Sequence, residues 1–449
     1  MSETDPEQES PERHAAVIAE EYGIARAYQS ATTPAERKRA FAILFLSLLC
    51  MGAGQSVINP ILQALGPKLG LSPVQVTSIF ACSALIWIFS STFWGVRSDI
   101  WGRKPVMLLG LIAFAVSFAA FAGILSLGLG HAIAASLTFP LLIASRCIYG
   151  TFGSGTSAAA QAYVADRTTP RERLSGVAVI SMAFALGTTA GPVVGATLTY
   201  VNLLAPFYFI SIMALASAAA IWFLLPERTA PQSQALKPST LRWYEPRMFP
   251  FVGFGVVLSL VGSIPLQILG FFLHDILHTG ASDVARLGSI GFVISALSAL
   301  FAQFVVVRRF RGSSRWLVAA GVVIAALSNV LFLLAHNFAM VAAAMSLSGL
   351  GLGIARPGFT AGASLSVAPH EQGAVAGLIG TAGAAGFIFG PVIGWLYEMS
   401  PSAPYACGAV VMLMLLVAQF LSPVLYRAGD IPPEVEAAEE RAESSVPEG

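Results

Sequence analysis

Twelve apolar runs of about twenty or more residues, separated by short polar breaks, fill most of this 449-residue chain and leave it no water-soluble fold. About 20 residues of α-helix cross a hydrocarbon core, and in lipid each backbone N–H and C=O must find its partner inside a helix or a closed barrel. The runs cover 41–65, 74–96, 105–129, 132–158, 174–200, 204–225, 248–272, 284–307, 315–335, 338–362, 374–397 and 405–426. They lack the alternating polarity of barrel strands, which are ~10 residues long. The predicted fold class is therefore all-α integral membrane, with twelve transmembrane helices. Composition agrees: 56% of residues are hydrophobic and 11% charged, where soluble domains carry about 25% charged residues. The net charge of +1 gives no global field that would draw the chain to nucleic acid. Cys50, Cys82, Cys147 and Cys407 sit in apolar stretches without CxxC spacing, which points neither to disulfides nor to a metal site.

The loops set the orientation. Arg37-Lys38-Arg39 stand before the first run, and the loops that follow alternately on the same side carry Arg97, Arg103 and Lys104; Arg167, Arg171 and Arg173; Arg228, Lys237, Arg242 and Arg247; and Arg308, Arg309, Arg311 and Arg315. The opposite side receives only Lys68 and Arg286. Cationic loops stay cytoplasmic, so a multi-pass protein of the cell inner membrane with both termini in the cytoplasm is predicted. The polar stretch 226–247 is the one long interior linker. The predicted organisation is a cytoplasmic segment 1–40, a six-helix bundle 41–225, the linker 226–247, a second six-helix bundle 248–426 and a disordered acidic tail 427–449. Residues 11–30 could lie as a surface helix, although their net acidity argues against anionic lipid.

An internal repeat supports two halves. Leu62-Gln-Ala-Leu-Gly66 returns as Leu266-Gln-Ile-Leu-Gly270, and Gly187, Gly191, Pro192 and Gly195 return at the same spacing as Gly386, Gly390, Pro391 and Gly394. The offsets are 204 and 199 residues. Repeated bundles with a binding site at their interface are a common plan for secondary transporters. Gln55, Asn59 and Gln63 fall four residues apart and share one helix face, as do Ser259, Ser263 and Gln267. Such faces turn away from lipid. They either line a substrate cavity or tie helices together by hydrogen bonds, at ~0.6 kcal/mol each.

The loop after the second run reads Gly95-Val-Arg-Ser-Asp99-Ile-Trp-Gly102-Arg103-Lys104, and the fourth run carries Arg146-xxx-Gly150-xx-Gly153, followed by Ala162-Tyr-Val-Ala-Asp166. With the Gly-Pro motif of the fifth run, their order resembles the major facilitator superfamily, in particular its twelve-helix drug:proton antiporter branch of tetracycline-efflux type. Ile100 stands where that family usually has a basic residue, and the second Gly of the helix-four motif is displaced by one. The resemblance covers about residues 40–426 and implies the major facilitator fold and a proton gradient as energy source, with no cofactor and no metal. It also implies a cytoplasmic latch, in which Arg103 pairs with Asp166 while Asp99 faces the start of helix eleven near His370-Glu371-Gln372. The residues themselves show only that these charges share a face, and fixing the topology would be explanation enough.

Arg146 lies ~20 Å along the fourth run at 1.5 Å per residue, and an ionisable residue at that depth is a functional candidate. In the family the corresponding Arg is linked to proton movement; a structural Arg bonded to carbonyls or to Gln55 is the alternative. Arg356, before Pro357 in the tenth run, is nearer the cytoplasmic end, where it could either meet substrate or snorkel to the interface. The two Gly-Pro motifs read as a pliable helix seam or as plain close packing. Tetracycline-type members carry an acid in helix one; Met51 stands there, and no Asp or Glu falls mid-span in any run. Asp99, Asp166, His274, Asp275 and Glu398 are only marginal candidates for coupling.

The expected function is secondary active transport by alternating access, a proton-coupled efflux of a small organic compound by a monomer in the lipid bilayer, with no nucleic acid partner. A facilitator or importer of a small metabolite without proton antiport is the alternative. A membrane enzyme would need clustered acids, histidines or a nucleophile, and His131, His274, His278 and His336 form no pair at ligand spacing. A channel fits the Gly-Pro seams less well than a carrier.

Overall fold

The computed structural model describes residues 34–167, 170–226, 244–310, 313–366 and 372–426. The expected N-terminal segment, most of the 226–247 linker and the acidic tail lie outside the described residues. Those described form helices and connections without a strand. The helices are α1 (Pro34–Leu65), α2 (Pro73–Trp101), α3 (Arg103–Leu129), α4 (Ala135–Ile148, a π turn Tyr149–Gly153 and Ser154–Asp166), α5 (Pro170–Leu198) and α6 (Ala205–Leu224). The second series is α7 (Phe249–Leu277), α8 (Ala281–Phe301 with a π turn Ala302–Val307), α9 (Ser314–Leu334), α10 (Phe338–Leu365), α11 (Gln372–Ile388 and Gly390–Met399) and α12 (Ala403–Leu421). Each expected run is thus a helix. Among the described residues nine are long and apolar enough, taken singly, to cross a membrane; α4, α5 and α11 are the ones diluted by Gly, Ser, Thr or a break.

Local sequence explains the ends. Gly102 carries φ 95° between α2 and α3, a conformation that a side chain would strain. The Asn337 side chain accepts from the Met340 amide at 3.0 Å and caps α10. Pro391 follows the interruption of α11 at Phe389, whereas Pro192 sits inside a continuous α5. The two copies of the Gly-Pro motif therefore differ: the second breaks its helix and the first does not.

The described chain divides into two compact units, one of residues up to Ile58 with Leu85–Gln234, the other of Asn59–Ala84 with those from Ala235 onward. In the first unit, α3 packs on α4 and α6. Its core holds a ring ladder in which Phe118 lies 4.5 Å from Phe114 and Phe207 5.6 Å from Phe121. In the second, α10 packs on α8 and α9, and α7 on α11. Gly321 and Gly351 allow α9 and α10 to meet backbone to backbone, as small residues do in membrane bundles. Tyr405 stacks on Phe332 at 4.4 Å. Large apolar side chains point outward, Phe223 being 78% and Leu421 76% exposed; such an apolar exterior is compatible with lipid and not with water.

Candidate functional site

In the first unit the site is built around Arg146. Eleven residues of α4 precede it, which places it ~17 Å along the helix at 1.5 Å per residue. Its side chain is 1% exposed. Nη2 donates to Gln55 Oε1 at 3.1 Å, and the guanidinium stacks 4.6 Å from the centre of the Tyr149 ring. Its Nε and Nη1 have no hydrogen-bond partner. Three residues on, α4 widens into the π turn, a form that recurs at functional positions. Gly153 accommodates the Tyr149 ring inside that turn, and the Trp94 indole donates to the Thr151 carbonyl at 2.6 Å. Nothing in the apolar period announced this turn; the Gly150 and Gly153 spacing is the signal that could have raised it.

The predicted seam is a set of close backbone approaches. Carbons added at Gly187 and Gly191 would run into the Leu49 carbonyl, the Ala53 carbonyl and the Ser56 hydroxyl, so α5 lies hard against α1. Pro192 and Gly195 are buried beside them. In the second unit Gly386 approaches the Ser259 carbonyl at 2.5 Å from its would-be Cβ. Gly390 meets the Gln267 side chain, and Gly394 meets Thr77. The Gly386 carbonyl, next to the break in α11, accepts from Ser263 Oγ at 3.0 Å and Gln267 Nε2 at 3.2 Å.

The amide stripes are more buried than cavity lining requires. Asn59, Gln63, Ser259, Ser263 and Gln267 are all buried; Gln55 alone is half-buried. Gln63 makes a contact that sequence spacing did not indicate. Its Nε2 donates to the Leu266 carbonyl at 2.7 Å and its Oε1 accepts from the Gly270 amide at 2.6 Å. These two backbone groups stand four apart in α7, the spacing of a helical bond, so the carboxamide lies alongside one rung of the ladder. In this conformation Gln63, Ser263 and Gln267 tie helices together.

At the α2–α3 junction Arg103 Nε donates to Asp166 Oδ2 at 3.1 Å, and its Nη1 donates to Ser98 Oγ at 2.6 Å. Lys104 Nζ donates to the Leu225 carbonyl at 3.0 Å. Tyr163 Oη and Arg167 Nη2 both donate to the Pro226 carbonyl, at 2.9 and 3.2 Å, closing the end of α6. The shared partner of Tyr163 and Arg167 escaped the sequence reading, because it is a backbone carbonyl 63 and 59 residues away. Gly95 has open space around it. The side chain of Asp99 and residues 367–371, expected to face each other, lie outside what is described.

Arg356 is exposed, and its Nη2 lies 3.6 Å from where a Cβ of Gly262 would stand. Among the described residues no group of three or more His, Cys, Asp or Glu could hold a metal.

Comparison with known proteins adds the relatives. The profile of the Major Facilitator Superfamily matches residues 44–391 and 251–447. Multidrug resistance protein 2 of Bacillus subtilis is 26% identical over 393 residues, covering 84% of this chain and 94% of that protein. The class C tetracycline resistance protein of Escherichia coli is 27% identical over 323 residues, 70% of this chain and 78% of that protein. The inward-facing, occupied crystal structure of a bacterial homologue of the human lysosomal transporter Spinster superposes with a TM-score of 0.66. It covers 89% of this chain and 98% of its own, at 13% identity, a likeness of fold.

Proposed function

Because the chain belongs to the Major Facilitator Superfamily, we propose that it is a secondary active transporter that exports a small organic compound by alternating access, coupled to proton entry, with both termini on the cytoplasmic side of a bacterial plasma membrane. The observation that carries this reading is Arg146: a guanidinium held inside a helix bundle, tied to one side-chain acceptor and leaving Nε and Nη1 unbonded. A buried charge is stable only when paired or hydrogen-bonded, so such a group awaits cargo, water or a proton-carrying partner. Relatives named for multidrug and tetracycline resistance support export.

Alternating access needs a gate that opens at low energetic cost. The Gln63 tie to α7 is well suited: the Leu266 carbonyl and the Gly270 amide stand at helical spacing and satisfy each other when the carboxamide withdraws, so neither backbone group is left bare. In the proposed topology the Arg103–Asp166 pair, 3.1 Å apart, lies on the cytoplasmic side of its own unit.

Purified protein in proteoliposomes tests the reading. Export requires saturable counterflow of the cargo and acceleration by an inward proton gradient, and Arg146→Ala should lose most of both. Counterflow without any response to the gradient favours the second reading, a facilitator. The position of the carboxylates favours that reading, since none on a described helix lies mid-helix.

A further inference from the structure

The sign of the charges inside the helices carries an inference about the cargo. Every Asp or Glu on a described helix stands within two residues of a helix end; Asp275, two residues before the end of α7, and Asp283, two after the start of α8, are typical. Only Arg146 and Arg356 lie more than five residues from the helix ends among the charged side chains. Both are permanently cationic. The intramembrane part of this protein thus holds positive charge and no carboxylate to balance it.

Arg356 is placed to meet a ligand. Eighteen residues of α10 precede it and nine follow, so snorkelling to the nearer interface would be within its reach. Its guanidinium goes elsewhere, against Gly262, thirteen residues from one end of α7 and fifteen from the other. Gly262 has no side chain to obstruct it, and Leu352, one turn earlier on α10, packs on the same glycine. The guanidinium therefore sits at the middle depth of α7. It is exposed there and has no hydrogen-bond or ion-pair partner among the described residues. Arg146, in the other unit, is buried with three N–H bonds on Nε and Nη1 unused.

Resting on the transporter reading, we propose that the cargo is an organic anion, an amphipath with a carboxylate or sulfonate headgroup, and that the planar fork of Arg356 binds that headgroup. A guanidinium matches such a group with two parallel charge-assisted hydrogen bonds. A cationic compound of the same body would meet like charge at Arg356, so selectivity against cations comes from the same side chain.

Three probes that share an aromatic body and differ in charge test this: radiolabelled 2-naphthylacetate, 2-(2-naphthyl)ethanol and 2-(2-naphthyl)ethylammonium, on the purified full-length protein at pH 7. Naphthylacetate should bind saturably and at least tenfold more tightly than either other probe. Arg356→Gln should weaken naphthylacetate at least tenfold and leave naphthylethanol unchanged; Arg356→Lys should fall between. Arg286→Gln, which breaks an exposed pair with Asp283, should change nothing. Equal or tighter binding of the ammonium probe, no saturable binding of any probe, or an unchanged anion preference in Arg356→Gln overturns the proposal. If Arg356→Gln does not fold, the Lys variant decides, since full wild-type anion affinity there removes the fork from the account. Counterflow in proteoliposomes separates the two readings. Anion binding without counterflow leaves the site and removes the transporter, and counterflow of the ammonium probe alone does the reverse.

Discussion

The backbone amide of Gly270 donates to Gln63 Oε1 at 2.6 Å, while Gln63 Nε2 donates to the Leu266 carbonyl at 2.7 Å. One carboxamide thus spans one rung of the α7 ladder. Gln63→Ala should cost on the order of 1 kcal/mol of stability, because the two backbone groups stand at helical spacing and satisfy each other, and only the net value of the side-chain bonds is lost. Transport should change several-fold, since the tie no longer resists opening. Gln63→Glu removes the N–H donor to the Leu266 carbonyl and adds a buried charge, and should be worse in both respects. Thermal unfolding in detergent read beside counterflow checks this; Gln63→Ala with wild-type transport would remove the gate.

Gly187 and Gly123 offer a paired test of the seam. Gly187 has the Leu49 carbonyl where its Cβ would go, and Gly123 has nothing within 4 Å. Gly187→Ala should destabilise by about 1–3 kcal/mol, as overpacking does. Gly123→Ala should raise Tm slightly, because Gly is worse than Ala in a helix by about 0.5–1 kcal/mol. Melting curves of the two variants that coincide would mean that α1 and α5 are less tightly engaged than described here.

Arg103 and Asp166 form a pair whose side chains are 11% and 32% exposed. Partial exposure limits its value to on the order of 1 kcal/mol in a double-mutant cycle. Arg103→Ala should nonetheless reduce transport well beyond that loss of stability if the pair holds a closed state. Wild-type transport in Arg103→Ala and Asp166→Asn alike would reduce the pair to a structural tie.

Arg146→Lys keeps the charge and loses the fork that reaches Gln55. It should retain part of the transport rate and Arg146→Ala little of it, at similar expression. An Arg146→Ala protein that transports normally and still responds to a pH gradient would make the residue structural.

Gly95→Ala meets no obstruction, since nothing lies within 4 Å of the added carbon. Stability should hold. A loss of transport in that variant would locate the need for glycine in another conformation of the cycle, and unchanged transport would show that the signature tolerates a methyl.

The helices were legible because lipid imposes a length and an apolarity that any reader can count, and Arg146 was legible because a charge at that depth stands out. The Arg146–Gln55 bond and the Arg103–Asp166 pair also join residues that sequence reasoning had singled out. The destinations of the amides were not legible. Gln63 and Gln267 share a repeat, yet Gln63 bonds to the α7 backbone while Gln267 turns to Ser263 and the carbonyl freed at the break in α11. A repeat fixes which residues recur and says nothing of which copy of a neighbouring helix is broken. The contact of Tyr163 and Arg167 was missed for a related reason: a backbone carbonyl such as that of Pro226 leaves no trace in residue identity.

The π turn at Tyr149–Gly153 also changes how α4 is to be numbered around its axis. Twenty positions separate Arg146 from Asp166, and at about 100° per residue an uninterrupted α-helix would set them about 200° apart. A π turn absorbs one additional residue, so the two point about 100° apart instead. The chain carries, in effect, an insertion that the helix conceals. Deleting one residue from this stretch should restore regular winding at a cost of ~1.5 Å in length and, by the same arithmetic, leave the two charged groups about 100° apart, whereas regular winding at unchanged length would swing one relative to the other by about a quarter of a circle.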